Sequence, residues 1–131
     1  MIGLVLVTHA GLAEELLVAA EMIVGKIERA ETVGIKADAK VDVIMSSITS
    51  AVEKVSGDGV IIMTDMFGGT PSNMSLSFLE ENKVEVLTGV NLPMVIKFAT
   101  ERTKVGVSEL ARKLKECGLE SISVAGEYLK K

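Results

Sequence analysis

Residues 59–73, GVIIMTDMFGGTPSN, contain the change of character that decides the fold. Val60–Met63 is an unbroken apolar run with no polar alternation, bounded by turn residues. That pattern reads as a strand buried on both faces, and such strands belong to parallel sheets covered by helices. At Asp65 the run stops, and Gly68 and Gly69 mark a loop. Thr70 and Pro71 then read as the N-cap and first residue of a helix reaching to about Asn82.

Upstream, Ile2–Val7 is another short apolar strand. In the segment after it, Leu12, Leu16, Ala20, Ile23 and Val24 recur at helical spacing, with Glu14, Glu15 and Glu21 off that stripe and Gly25 as a stop. Residues 31–36 form a weaker strand. Residues 41–55 are helical, with Ile44, Ile48, Ala51, Val52 and Val55 on one face. The turn SGDG leads into the third strand. Downstream, residues 83–87 form a fourth strand that ends in TGVNLP. Pro93 opens a helix to about Arg102, Ser108 caps another that stops near Gly118, and Ser121–Ala125 reads as a last short strand. Strands alternating with helices across short loops make this one α/β domain over residues 1–131. The expected architecture is a mostly parallel, doubly wound sheet of order 2-1-3-4 with helices on both faces. The last strand would be an added edge or an arm exchanged with another subunit.

Composition narrows the function classes. The chain carries 14 basic and 18 acidic residues, a net charge of −4, which argues against a nucleic-acid footprint. The basic cluster Arg112, Lys113, Lys115 reads as a solvated helix face. Aromatics are 3 % and Trp is absent, so the core is aliphatic. No apolar run approaches the roughly 20 residues that a bilayer requires. Nothing at the N-terminus reads as a secretory signal, and the single cysteine, Cys117, fits a reducing, cytoplasmic setting.

In doubly wound sheets, ligands sit beyond the carboxyl ends of the strands, where the strand order reverses. Three loops at those ends differ from ordinary connectors: Thr8–Gly11, Asp65–Pro71 and Gly89–Pro93. The first holds His9, the only histidine in the chain. Strands one and three flank the switch point, so His9 and Asp65 should face each other. A carboxylate beside an imidazole fixes the tautomer and stabilises positive charge on the ring, leaving the second nitrogen as a nucleophile. Gly68 and Gly69 permit close backbone approach. Thr70 places a hydroxyl at a helix start, where free N–H groups favour an anion. Together they suggest a histidine that takes up and passes on a phosphoryl group.

Competing readings fare less well. A histidine phosphatase or mutase needs an arginine before the histidine and a second histidine, but here Thr8 precedes the only one. A phosphoacceptor receiver needs an acidic pair after strand one to hold a metal, yet no carboxylate precedes Glu14. A flavin or nucleotide binder lacks its phosphate cradle, and one histidine with one cysteine does not make a zinc site. No cofactor or metal is called for. A non-catalytic regulatory module remains open, because a phosphorylated domain can serve as a signal.

GLVLVTHAGLAEELL, GVIIMTDMFGGTPSN and VLTGVNLPM resemble the enzyme IIA component of the mannose-family sugar phosphotransferase system, over essentially the whole chain. Dihydroxyacetone-kinase phosphocarrier domains share the opening histidine but not the FGGTPSN segment. The resemblance implies a cytoplasmic phosphotransferase component without a cofactor. His9 would accept phosphate from the carrier protein HPr and hand it to a IIB component for sugar uptake. Asp65 would orient His9. Thr70, Thr8 and backbone N–H groups around Gly68 and Gly69 would contact the phosphoryl group, with Met66 and Phe67 as docking anchors. The resemblance also implies a homodimer that exchanges a C-terminal strand. In several members IIB follows in the same chain. Here it would be a separate chain, lie beyond these residues or be missing, and in the last case the protein would regulate rather than transport.

Overall fold

The computed structural model describes residues 1–129. Four parallel strands, β1 (Gly3–His9), β2 (Ala30–Ile35), β3 (Val60–Thr64) and β4 (Val84–Thr88), form one sheet of order β2-β1-β3-β4. The order and strand directions match the sequence reading. The helices are α1 (Leu12–Val24), α2 (Val41–Val55), α3 (Thr70–Ser75), α4 (Leu92–Glu101), α5 (Val107–Glu120) and α6 (Ala125–Tyr128), with one 3₁₀ turn at Leu76–Phe78.

Alternation along the central strands divides the interior into two layers. Leu4, Leu6, Ile61 and Met63 point to one face, where they meet Ala13 and Ala20 of α1, Val95 and Phe98 of α4, and Leu110 and Leu114 of α5. Val5, Val7, Val60 and Ile62 point to the other, against Ile44, Ile48, Ala51 and Val55 of α2. Both central strands are therefore sealed, as an apolar run without alternation requires.

Four readings need correction. In α1 the buried residues are Ala13 and Ala20, whereas Leu12 and Ile23 are exposed. The helix is apolar on almost every side, so its periodicity did not single out the inner face. The helix after β3 ends early. The hydroxyl of Ser75 donates to the Pro71 carbonyl at 2.6 Å and that of Ser77 to the Met74 carbonyl at 2.9 Å. Such bonds compete with the helical ladder, and the serine-rich run tightens to a 3₁₀ turn at Phe78 instead of reaching Asn82. Gly69 and Gly106, not Thr70 and Ser108, occupy the N-cap positions of α3 and α5. Ser108 instead donates to Asn82 Oδ1 at 2.9 Å. Finally, residues 121–125 form no strand within the single chain. A strand needs an edge to pair with, and this segment joins the ladder of none of the described strands; it leads into α6.

Candidate active site at the switch point

β1 and β3 are neighbours in register, Val7 beside Thr64, so the residues just beyond them share the carboxyl edge of the sheet. His9 ends β1 and Asp65 follows β3. The carboxylate oxygen Oδ2 of Asp65 accepts from the His9 backbone N–H at 2.9 Å and contacts its ring Nδ1 at 2.8 Å. Burial of Asp65 pushes its carboxyl upward, but the hydrogen bonds from the His9 backbone and ring, together with the ring's charge, outweigh it. The carboxyl is held below its ordinary value and is ionised at neutral pH. An ionised carboxylate can only accept, so Nδ1 carries a proton, and in the neutral ring this is the tautomer that leaves the lone pair on Nε2. The two side chains differ in exposure: 50 % for His9 and 13 % for Asp65. The imidazole is open to solvent and the carboxylate is sheltered.

The surrounding loops hold this pair in place. Thr8 is fully buried, and its hydroxyl accepts from the Ala13 N–H at 2.7 Å and donates to the His9 carbonyl at 3.1 Å. It thus pins the start of α1 to the end of β1 and has no hydroxyl facing the crevice, which corrects the expectation that it touches a phosphoryl group. Ala10 adopts a left-handed φ of 51°. Gly68 has φ 88°, which a side chain would strain. At Gly69 an added Cβ would lie 3.0 Å from His9 Cε1 and 3.5 Å from Nε2, so the bare backbone approaches the Cε1–Nε2 edge of the ring. The Asn73 side chain donates to the Gly68 carbonyl at 3.4 Å, a brace the sequence reading passed over.

Thr70, exposed at the start of α3, lines with His9 a cavity of about 500 Å³. Met66 and Phe67 are 54 % and 75 % exposed, so neither is a core residue. Beneath the crevice, Thr64 Oγ1, Asp65 Oδ1 and Ser72 Oγ are buried without hydrogen-bond partners.

The third loop serves the frame instead. The N–H groups of Gly89 and Val90 both donate to the Thr64 carbonyl at 2.9 Å. The Asn91 side chain caps α4 through the Met94 N–H at 3.2 Å and reaches the Gly118 carbonyl at 3.1 Å. Among the described residues no three His, Cys, Asp or Glu side chains are grouped to hold a metal, and no helix is long and apolar enough to cross a membrane.

Comparison with known proteins agrees with this architecture. A family model described as PTS system fructose IIA component matches residues 3–115. The sorbose-specific EIIA component of Lacticaseibacillus casei is 30 % identical over 112 residues, covering 85 % of this chain and 81 % of that protein. The fructose-specific EIIA component of Bacillus subtilis is 34 % identical over 73 residues, which are 55 % of this chain and only half, 50 %, of that protein. The chain also matches 30 % of the length of the mannose-specific EIIAB component of Escherichia coli, at 30 % identity. Among solved structures, an EIIA component from Streptococcus agalactiae superposes with a TM-score of 0.88 at 25 % identity, covering 97 % of this chain and 99 % of that one. The mannose/sorbose-specific IIA subunit from Enterococcus faecalis gives 0.83 at 28 % identity, with 93 % and 92 % covered. With the family model spanning most of the sequence and the fold reproduced throughout, the chain belongs to the mannose-family IIA components of the phosphotransferase system.

Proposed function

We propose that His9 is the phosphoryl carrier of this component, loaded by phospho-HPr and discharged to a IIB partner that phosphorylates the incoming sugar. The observation that carries this reading is the division of labour on one ring: Nδ1 is held by Asp65 at 2.8 Å, while the side chain is half exposed and Nε2 has no hydrogen-bond partner among the described residues. In the transfer, the bond between phosphorus and the donor's ring nitrogen breaks as the bond to Nε2 forms. The Nδ1 proton stays in its hydrogen bond, and Asp65 balances the positive charge that develops on the ring. Little covalent chemistry is left for the protein, so positioning and charge carry the rate. Thr70 and the backbone N–H groups at Gly68 and Gly69 lie around the position the phosphoryl oxygens would take. The exposed Met66 and Phe67 supply apolar anchors for docking.

Exchange of the C-terminal segment between two subunits fits the same reading. β4 is an edge strand, and Ile122, Val124, Tyr128 and Leu129 are exposed apolar residues on a segment that finds no strand partner in its own chain. Removing residues 119–131 should weaken the dimer in sedimentation, and an unaltered dimer would refute the exchange.

The test of the carrier role is incubation with phosphoenolpyruvate, enzyme I and HPr, followed by intact mass. One acid-labile phosphoryl group should appear on the wild type. No uptake from cognate components would leave a regulatory binding module as the better account.

A further inference from the structure

We infer that Lys36 is a phosphoryl-contacting cation of this site, an assignment that rests on the carrier role of His9. Register puts it there. His9 of β1 pairs with Ile35, the last residue of β2, so Lys36 lies one residue beyond the neighbour of His9, with strands about 4.8 Å apart.

The backbone on either side is tightly held. The Ala10 N–H donates to the Ile35 carbonyl at 2.9 Å, and the Ala39 N–H donates to the Lys36 carbonyl at 3.1 Å. Gly34 lets the two loops close up, because a Cβ there would lie 2.3 Å from the Ala10 carbonyl oxygen. Lys36 lines the same cavity as His9 and Thr70, and no other lysine or arginine lines it. Among the described residues its ammonium is in none of the ion pairs.

Charge explains the need. A phosphoryl group on Nε2 brings roughly two negative charges to a place that already holds the Asp65 carboxylate. The loops Thr8–Gly11, Asp65–Thr70 and Gly89–Asn91 contain no lysine or arginine, and the loop of Lys36 also carries Asp38. An ammonium on a flexible stem can follow the phosphoryl group as it arrives and leaves.

The experiment is the transfer equilibrium between phospho-HPr and this protein, measured for wild type, Lys36→Met, Lys36→Arg and Lys40→Met. Lys40 is the control, because it shares the loop but does not line the cavity. Lys36→Met should move the equilibrium about tenfold toward the donor, the low end for a lost charge-assisted hydrogen bond. Lys36→Arg should keep most of the wild-type value, and Lys40→Met should move it little. Equal shifts for Lys36→Met and Lys40→Met, or none for either, would overturn the assignment while leaving the carrier role intact. A wild type that takes no phosphate would remove both.

Discussion

The two ends of the sheet use charge in opposite ways. At the amino-terminal edge, Arg102, Arg29 and the Met1 amino group are each engaged by a backbone carbonyl or a carboxylate. The Arg102 guanidinium is buried and donates twice to the Ile2 carbonyl, at 2.6 and 3.0 Å, while lying 4.8 Å over the Phe98 ring. Burial, and then the nearby charge of Arg29, pulls Arg102 below its ordinary value. Arg29 donates to the carbonyls of Val55 and Ser56, and the Met1 amino group pairs with Asp58. At the carboxyl edge, one carboxylate is tied to a half-exposed histidine, and Lys36, which is in no ion pair among the described residues, lines the same cavity as that histidine. The difference is one of remaining valence. The three groups at one end are satisfied by the fold, whereas the histidine and lysine at the other keep capacity for a further ligand, as the proposed carrier role requires.

That contrast predicts that substitutions at the two edges separate activity from stability. His9→Ala should abolish phosphorylation outright while the fold survives, since the ring is half exposed; the mass measurement and a thermal melt check the two halves. Asp65→Ala should slow transfer by about 10–100-fold, by analogy with the loss seen when the carboxylate that orients a metal-bound imidazole is removed. Unchanged transfer rates would sink its orienting role. At the other edge, Arg102→Met should leave transfer per folded molecule unchanged but cost about 1–3 kcal/mol in urea unfolding, because the Ile2 carbonyl loses its donors. A rate effect there would blur the division between the edges.

The pH dependence has a definite sign. The folded state holds the Asp65 carboxyl below its ordinary 3.8. Its contribution to stability is therefore present above that value and lost as pH falls through the lower folded value. The stability gap between wild type and Asp65→Asn should shrink on acidification below about pH 4. A gap that widened would mean that the carboxylate is strained rather than stabilised. The smallest effect is expected for Gly69→Ala, whose methyl must displace the ring edge by a few tenths of an ångström. Transfer should slow a few-fold with little change in melting temperature.

Much of this was legible in the chain because strand ends announce themselves. Val60–Met63 has no polar alternation, so its burial and its parallel neighbours followed, and with them the crevice that unites His9 and Asp65. What stayed hidden depended on packing. The thirteen residues of α1 are apolar on too many sides for spacing to choose the inner face, and the fold selects the two alanines because they let the helix approach the sheet. Thr8 looked available for chemistry until its hydroxyl proved to be pinned between two backbone groups. Lys36 carries no motif at all; only the register of β2 against β1 brings it to the histidine. The Ser121–Ala125 segment has β-branched residues that read as a strand, but it joins no ladder of the described sheet.

The central claim is that Asp65 holds Nδ1 so that Nε2 does the chemistry. The most direct test is nitrogen and phosphorus NMR of the ¹⁵N-histidine-labelled protein before and after phosphorylation. The account predicts an Nδ1–H tautomer in the free protein and phosphorus coupled to Nε2 in the loaded one. Phosphorus on Nδ1, or on a residue other than His9, would contradict it.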